Sequence, residues 1–257
     1  MNDNLKQDYC VAFLDILGFK YMTGQEKITE TYRMLAGIIQ KMKGFLKEYI
    51  EKNGRALDIL DQVNMMQFAD TIVLIFPKQP YISLYCFQAV SKLQFELAKE
   101  GIYLRGGINS GILYMDTIDN VYFGDAWNGA VKLEEEAKYP RVIIEKSICD
   151  MVKEWLQEVN ESVLEFYEED KIYMLPVLSD IFIQKSDSEK DYESIVENLE
   201  RNVKEQENSK EVLKKYKWMA EKLLDNNTVQ DNQNIKEHVL KVENDIKKFL
   251  EHDSTTP

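Results

Sequence analysis

Apolar residues along the chain fall into runs and stripes that mark out its elements. Tyr9 to Ile16, YCVAFLDI, is rich in β-branched and aromatic residues and predicts a buried strand ended by Gly18. From Gln25 to Asn53, residues Ile28, Tyr32, Leu35, Ile39, Met42, Phe45 and Tyr49 recur at three- and four-residue steps. That spacing predicts one amphipathic helix or two, closed by Asn53-Gly54. NMMQFADTIVLIFP, Asn64 to Pro77, reads as two strands joined by a tight turn with Asp70 at its tip. Pro80 to Glu100 is helical by period and stops at Gly101. Ile102 to Asp116 is a strand loosened by glycines, and VYFG is a short one. Asp125 is expected to cap a helix running to about Lys138, where Tyr139-Pro140 stops it; RVIIEKSI is expected to be a strand.

The predicted order, β-α-β-β-α-β-α-β, is the split βαβ pattern of a ferredoxin-like α+β fold, an antiparallel sheet with helices on one face. Its first strand and the hairpin are expected to be neighbours at the sheet centre, which sets Asp15 beside Asp70. Past about Ser186 the texture changes: glycine disappears and Lys, Glu, Asn and Asp dominate. The expected division is a globular domain over 1–186 and a helical extension over 187–257. One candidate helix spans Ile195 to Leu224, and Ile235, Val239, Val242, Ile246 and Phe249 mark another. The end, HDSTTP, is expected to be disordered.

Composition narrows the chemistry. The formal net charge is −13, which repels a phosphate backbone and argues against polymeric nucleic acid as the main partner. Cys10, Cys86 and Cys149 are odd in number and far apart, so neither a disulfide framework nor a cysteine zinc site is expected. The start, MNDNLKQDYC, lacks a signal-peptide profile, and no apolar run approaches the ~20 residues of a membrane span. A cytoplasmic location is the expectation. His238 and His252 are the only histidines, so chemistry in the rest of the chain uses no histidine base or ligand.

Asp15 and Asp70 are therefore read in one of two ways. They hold a hard divalent cation between them, Mg²⁺ or Mn²⁺, or each caps a turn at a strand end. In the first case the turn through Leu17, Gly18 and Phe19 offers backbone N–H groups to phosphate oxygens. The glycine-rich RGGINSG is not followed by Lys-Ser/Thr and a helix, so it is no P-loop. Glu134, Glu135 and Glu136 are adjacent on a helix and are expected to form a solvated face.

AFLDILGF, QFADTIVLIF, LRGGINSG and VYFGDAWNGAVKLEEEA occur here in the order of the class III nucleotidyl cyclase catalytic domain, which this sequence resembles. RGGI, FGDAWNGAVKLEEEAKYPRV and KYKWM resemble its bacterial antiphage branch, the Pycsar pyrimidine cyclases. The resemblance implies that Asp15, Asp70 and the Ile16 carbonyl bind a pair of divalent ions. It implies that the ribose 3′-hydroxyl attacks the α-phosphorus and expels pyrophosphate. Asn128 matches the residue that orients the ribose. The family commonly has an arginine four residues on; this chain has Lys132, which either supplies that charge or is a solvated lysine.

Adenylate cyclases of the class read their base with a lysine and an aspartate at the positions of Met66 and Val121, so a different base is implied. Arg105 either contacts base or phosphate or makes a salt bridge across the sheet, and Asp125 is expected beside the substrate. The resemblance further implies a homodimer with shared sites, UTP or CTP as substrate, and an effector answering to the cyclic product in phage defence. The rival readings are a degenerate cyclase fold that only binds nucleotide, a purine cyclase, and a diguanylate cyclase or polymerase-palm relative. The missing GG[DE][DE]F hairpin and the acidic surface weigh against the last two.

Overall fold

The computed structural model describes residues 6–19, 28–52, 57–158, 166–174 and 188–252. The elements of the first part are β1 (Lys6–Ile16), α1 (Ile28–Lys52), a 3₁₀ turn (Leu57–Gln62), β2 (Asn64–Phe68), β3 (Thr71–Pro77) and α2 (Pro80–Lys99). They continue with β4 (Leu104–Asp116), β5 (Val121–Gly124), α3 (Asp125–Ala137), β6 (Val142–Ile144), α4 (Lys146–Glu158), β7 (Tyr167–Glu168) and β8 (Ile172–Met174). The remainder is helical: α5 (Ser188–Glu205), α6 (Lys210–Leu224), α7 (Asn227–Asp231) and α8 (Gln233–His252).

The strands form one sheet in the order β2-β3-β1-β4-β6-β8-β7, with β5 paired to β4. Its first four are antiparallel, the ferredoxin-like core expected, with β1 between β3 and β4. β6 instead joins β4 in parallel, so the sheet is mixed. The predicted strand RVIIEKSI is strand only over Val142–Ile144. Lys146 already begins α4, whose buried Ile148, Cys149, Val152 and Leu156 follow a helical period.

Alternation along β1 explains how two layers of helix find the sheet. Cys10, Ala12, Leu14 and Ile16 are almost wholly buried on one face, where Cys10 Sγ lies 4.0 Å from Ser83 Oγ of α2. α1 packs on α2, with Lys92 reaching Glu48 at 2.8 Å over the Phe45 ring. The buried stripe of α1 is Ile38, Met42, Leu46, Tyr49 and Ile50; Tyr32, which looked like part of it, is 70% exposed. On the other face Val11, Val73, Ile75 and Leu113 pack with Ala126 and Ala130 of α3, and Phe13 meets Trp127 edge-on at 5.8 Å. Helices therefore cover both faces rather than one. α3 comes this close because Gly107 has no side chain: a Cβ there would stand 2.4 Å from Ala130 O.

The chain divides into two compact units, 1–93 with 104–174 and 94–103 with 175–257. In the second, Asn198 and Asn202 donate to the carbonyls of Lys99 and Gly101 at 2.6 and 2.7 Å. Buried Asn226 donates to the Tyr192 hydroxyl at 2.8 Å and accepts from Val229 N, capping α7. The single helix expected over Ile195 to Leu224 is two, α5 and α6, with Ser209 at the N-cap of α6. Gln25, Asn53-Gly54, the 186/187 boundary and the tail from Asp253 lie outside the described residues.

Candidate active site

Strand register builds the site. Phe68, Thr71, Asp15 and Arg105 stand opposite one another across β2, β3, β1 and β4, so all four side chains share the α3 face. This row lies at the C-terminal end of β1. The next row, Met66, Val73, Phe13 and Gly107, is partly roofed by α3.

Asp70 is the second residue of the two-residue turn between β2 and β3. It precedes the partner of Asp15, and its carbonyl accepts from Ile16 N at 3.1 Å. That bond ties the hairpin tip to the end of β1, so of two aspartates 55 positions apart in sequence one lies near the end of β1 and the other in the turn joined to it. Ala69, the first turn residue, has φ 52°, a left-handed conformation that costs a residue with a Cβ ~1–2 kcal/mol. Past Ile16 the chain turns at Leu17-Gly18, and Gly18 has φ 77°, where glycine alone is unstrained.

Arg105 does not point freely into this site. Its Nε donates to Asp15 Oδ2 at 3.1 Å, and its Nη2 lies 2.7 Å from Glu134 Oε1. The second contact falls off the N–H directions, so it is an ion pair rather than a formed hydrogen bond. Of the two readings of Arg105, the salt bridge is the geometry observed.

Glu134 is the residue that sequence reasoning missed. The expected solvated glutamate face does not hold for it: Glu134 is 6% exposed, while Glu135 is exposed and Glu136 pairs with Lys171 at 2.7 Å. The signal was in the helix period. Ala126, Ala130, Glu134 and Ala137 fall at steps of four, four and three, the sheet-facing stripe. Burial pushes the Glu134 carboxyl above the ordinary carboxylate range; Arg105 pulls it back, and Asp15, Glu135 and Asp70 raise it further.

α3 begins at Asp125, with Gly124 rather than Asp125 at the N-cap and no side-chain capping bond. Asp125 is exposed in the first turn, where its charge suits the helix dipole. Asn109 Nδ2 donates to the Asp125 carbonyl at 3.2 Å and fixes the start of the helix on β4. Asn128 and Lys132 are both exposed, one helical turn apart, away from the sheet-facing stripe. Met66 is half-buried beside Val73, and Val121 is 47% exposed on β5.

The donor set around Asp15 and Asp70 is all oxygen, which fits a hard divalent cation. Among the described residues no three His, Cys, Asp or Glu side chains gather into a cage. An ion held by the two aspartates would therefore complete its shell with backbone carbonyl, water or phosphate oxygens, the usual habit of Mg²⁺.

The model of the adenylate and guanylate cyclase catalytic domain matches residues 1–176, and the chain belongs to that family. It is a nucleotide cyclase catalytic domain followed by further helices, and members of this class use divalent metal ions. No curated protein sequence matches the chain. Among solved structures it is similar to the dimeric guanylyl cyclase domain of the RhoGC fusion protein from the aquatic fungus Blastocladiella emersonii. That match has 15% identity and TM-score 0.47, over 65% of this chain and 94% of that one. An adenylate/guanylate cyclase/hydrolase from Silicibacter pomeroyi matches at 14% identity and TM-score 0.42, over 66% and 94%. The catalytic core of a rhodopsin-guanylyl cyclase with converted specificity, in complex with ATPαS, matches at 16% and 0.42, over 66% and 96%. Membership rests on the sequence match. No helix among the described residues is long and apolar enough to cross a membrane.

Proposed function

We propose that the protein is a pyrimidine nucleotidyl cyclase that converts UTP or CTP to the 3′,5′-cyclic monophosphate and pyrophosphate. The observation that carries this reading is the junction of Asp15 and Asp70 at the end of β1, closed by the Ile16 N–H to Asp70 carbonyl bond. Asp15, Asp70 and the Ile16 carbonyl hold the divalent ions, Mn²⁺ or Mg²⁺. The metal supplies charge neutralisation for phosphoryl transfer.

The chain's own residues do the positioning. Backbone N–H groups at Leu17, Gly18 and Phe19 face the triphosphate, and Arg105 stands beside Asp15 with a guanidinium for a phosphate oxygen. Asn128 orients the ribose, and Lys132 places a positive charge one turn along the same helix. Asp125, in the first turn, borders the substrate. Because Asn128 and Lys132 are exposed, they are available to the site of a second copy, and we read the active form as a homodimer with shared sites.

The pyrimidine assignment is supported by Met66 and Val121, neither of which offers a charged group to a purine edge. The wording of RGGI and FGDAWNGAVKLEEEAKYPRV supports a defence role, the cyclic product acting on a responsive effector.

The test is to incubate the protein with ATP, GTP, CTP and UTP and Mn²⁺ or Mg²⁺, resolving products by mass spectrometry beside Asp70→Ala. A cyclic monophosphate from a pyrimidine triphosphate, lost in the variant, is expected. A purine product would overturn the base assignment, and no product would favour a nucleotide-binding protein without turnover. Mixing Asp15→Ala with Asn128→Ala chains tests sharing: restored turnover is expected, and none despite proven subunit exchange would refute it.

A further inference from the structure

Glu134 has no part in the proposed reaction, yet it occupies a position where a carboxylate is costly. It faces the sheet on a stripe otherwise made of alanines and is 6% exposed. A buried carboxylate persists only with a partner charge, and its partner is Arg105, at 2.7 Å. The same guanidinium reaches Asp15 through Nε at 3.1 Å. One cation thus serves two carboxylates, one on α3 and one at the end of β1. Whatever Glu134 takes of Arg105 is withheld from Asp15. A divalent cation arriving at Asp15 competes with the same guanidinium.

We propose that Glu134 is a positioning residue that holds Arg105 from the α3 side and so keeps the Asp15 carboxylate oriented and open to a divalent cation. The inference rests on the reading of Asp15 as a metal ligand. Glu134 touches neither metal nor nucleotide; it acts through Arg105. Its site on α3 adds a consequence: the helix bearing Asn128 and Lys132 is linked by an ion pair to the strand bearing the metal aspartate. Displacing α3 alters the metal site as well as the ribose contacts.

The experiment uses the full chain and Mn²⁺ alone, with free Mn²⁺ followed by electron paramagnetic resonance. In Glu134→Gln the shape is kept and the charge removed, so Arg105 passes wholly to Asp15. The Mn²⁺ dissociation constant is expected to rise about tenfold, as the guanidinium charge shared with Glu134 is redistributed to Asp15. The Mn²⁺ concentration for half-maximal turnover is expected to rise in parallel. Glu134→Asp keeps the charge one methylene further back and is expected to give a smaller rise. It carries the test if the glutamine variant does not fold. Unchanged Mn²⁺ affinity in a folded variant, with only a lowered unfolding midpoint, would make Glu134 merely structural and overturn the inference. Asp15→Asn separates the two failures. If it leaves Mn²⁺ binding intact, the metal assignment itself is wrong; if it abolishes binding while Glu134→Gln does nothing, only the positioning role is lost.

Discussion

Gly107→Ala adds one methyl group where the backbone of α3 lies directly over β4. A Cβ at this position would meet Ala130 O at 2.4 Å, Leu133 Cβ at 2.5 Å and Glu134 N at 2.6 Å, whereas ordinary contact begins at 3.4 Å. Two of those atoms are helix backbone, so no side-chain rotation relieves the clash. The shortfall of 3.4 less 2.4 Å requires α3 to rise by about 1 Å. Overpacking of this kind costs ~1–3 kcal/mol. A displacement of about 1 Å in a helix that positions substrate can lower turnover ~10²-fold. Urea unfolding of the variant is expected to show a lower midpoint at an unchanged slope. Turnover of whichever triphosphate is cyclised is expected to fall by roughly that factor. Gly37→Ala is the control: nothing lies within 4 Å of its Cβ, and helix propensity on α1 predicts a gain of up to ~1 kcal/mol. If Gly107→Ala matches wild type in both midpoint and turnover, the close seating of α3 is refuted.

Three other outcomes are expected. Ala69→Gly relieves ~1–2 kcal/mol of left-handed strain against ~0.5–1 kcal/mol of chain entropy, so the urea midpoint should stay level or rise; a clear fall would refute the φ of 52°. Lys241, His238 and Lys204 hold the Glu200 carboxyl down from 4.5 to about 2. A depressed carboxylate stabilises fully above its unfolded value, and that stability is lost as pH falls toward about 2. Glu200→Gln should therefore flatten the acid-side decline of stability, and superimposable acid profiles would refute the pairing. Burial pushes the Cys10 thiol up to about 12 and raises Cys86 and Cys149 as well, and all three are buried. A thiol reagent at about pH 8 should label none of them before denaturant is added, and rapid labelling of the native protein would show one to be accessible.

The sequence by itself determined the elements whose apolar pattern is long or whose stop signals are sharp. β1, the β2–β3 hairpin, α2 ending before Gly101 and the span of α3 were all legible, because local alternation, helical period and turn residues agree there. It also placed both histidines near the C-terminal end, which leaves the chemistry of the rest of the chain to carboxylates, amides, lysine, arginine or a hard metal. Short pieces were not legible. β6 is three residues long, and KSICDMVKEWLQE follows it without a glycine or proline to mark the change to helix. The break between α5 and α6 carries no glycine or proline either.

Only the tertiary structure decided the rest of the candidate site. Local pattern does not reveal that α3 packs on the face opposite α2, because an amphipathic helix fits either side of a sheet with two apolar faces. Once α3 takes that side, Glu134 points down at Arg105, and a run of three glutamates splits into a buried partner, an exposed neighbour and a surface ion pair. Sequence reading put Asp15 near the end of a strand and Asp70 at a hairpin tip; the pairing of β1 with β3 and the Ile16 N–H to Asp70 carbonyl bond tie the two places together. The physical reason is range. Propensity and period act over a few residues, whereas a carboxylate's environment is set by charges and burial contributed from strands and helices far away along the chain.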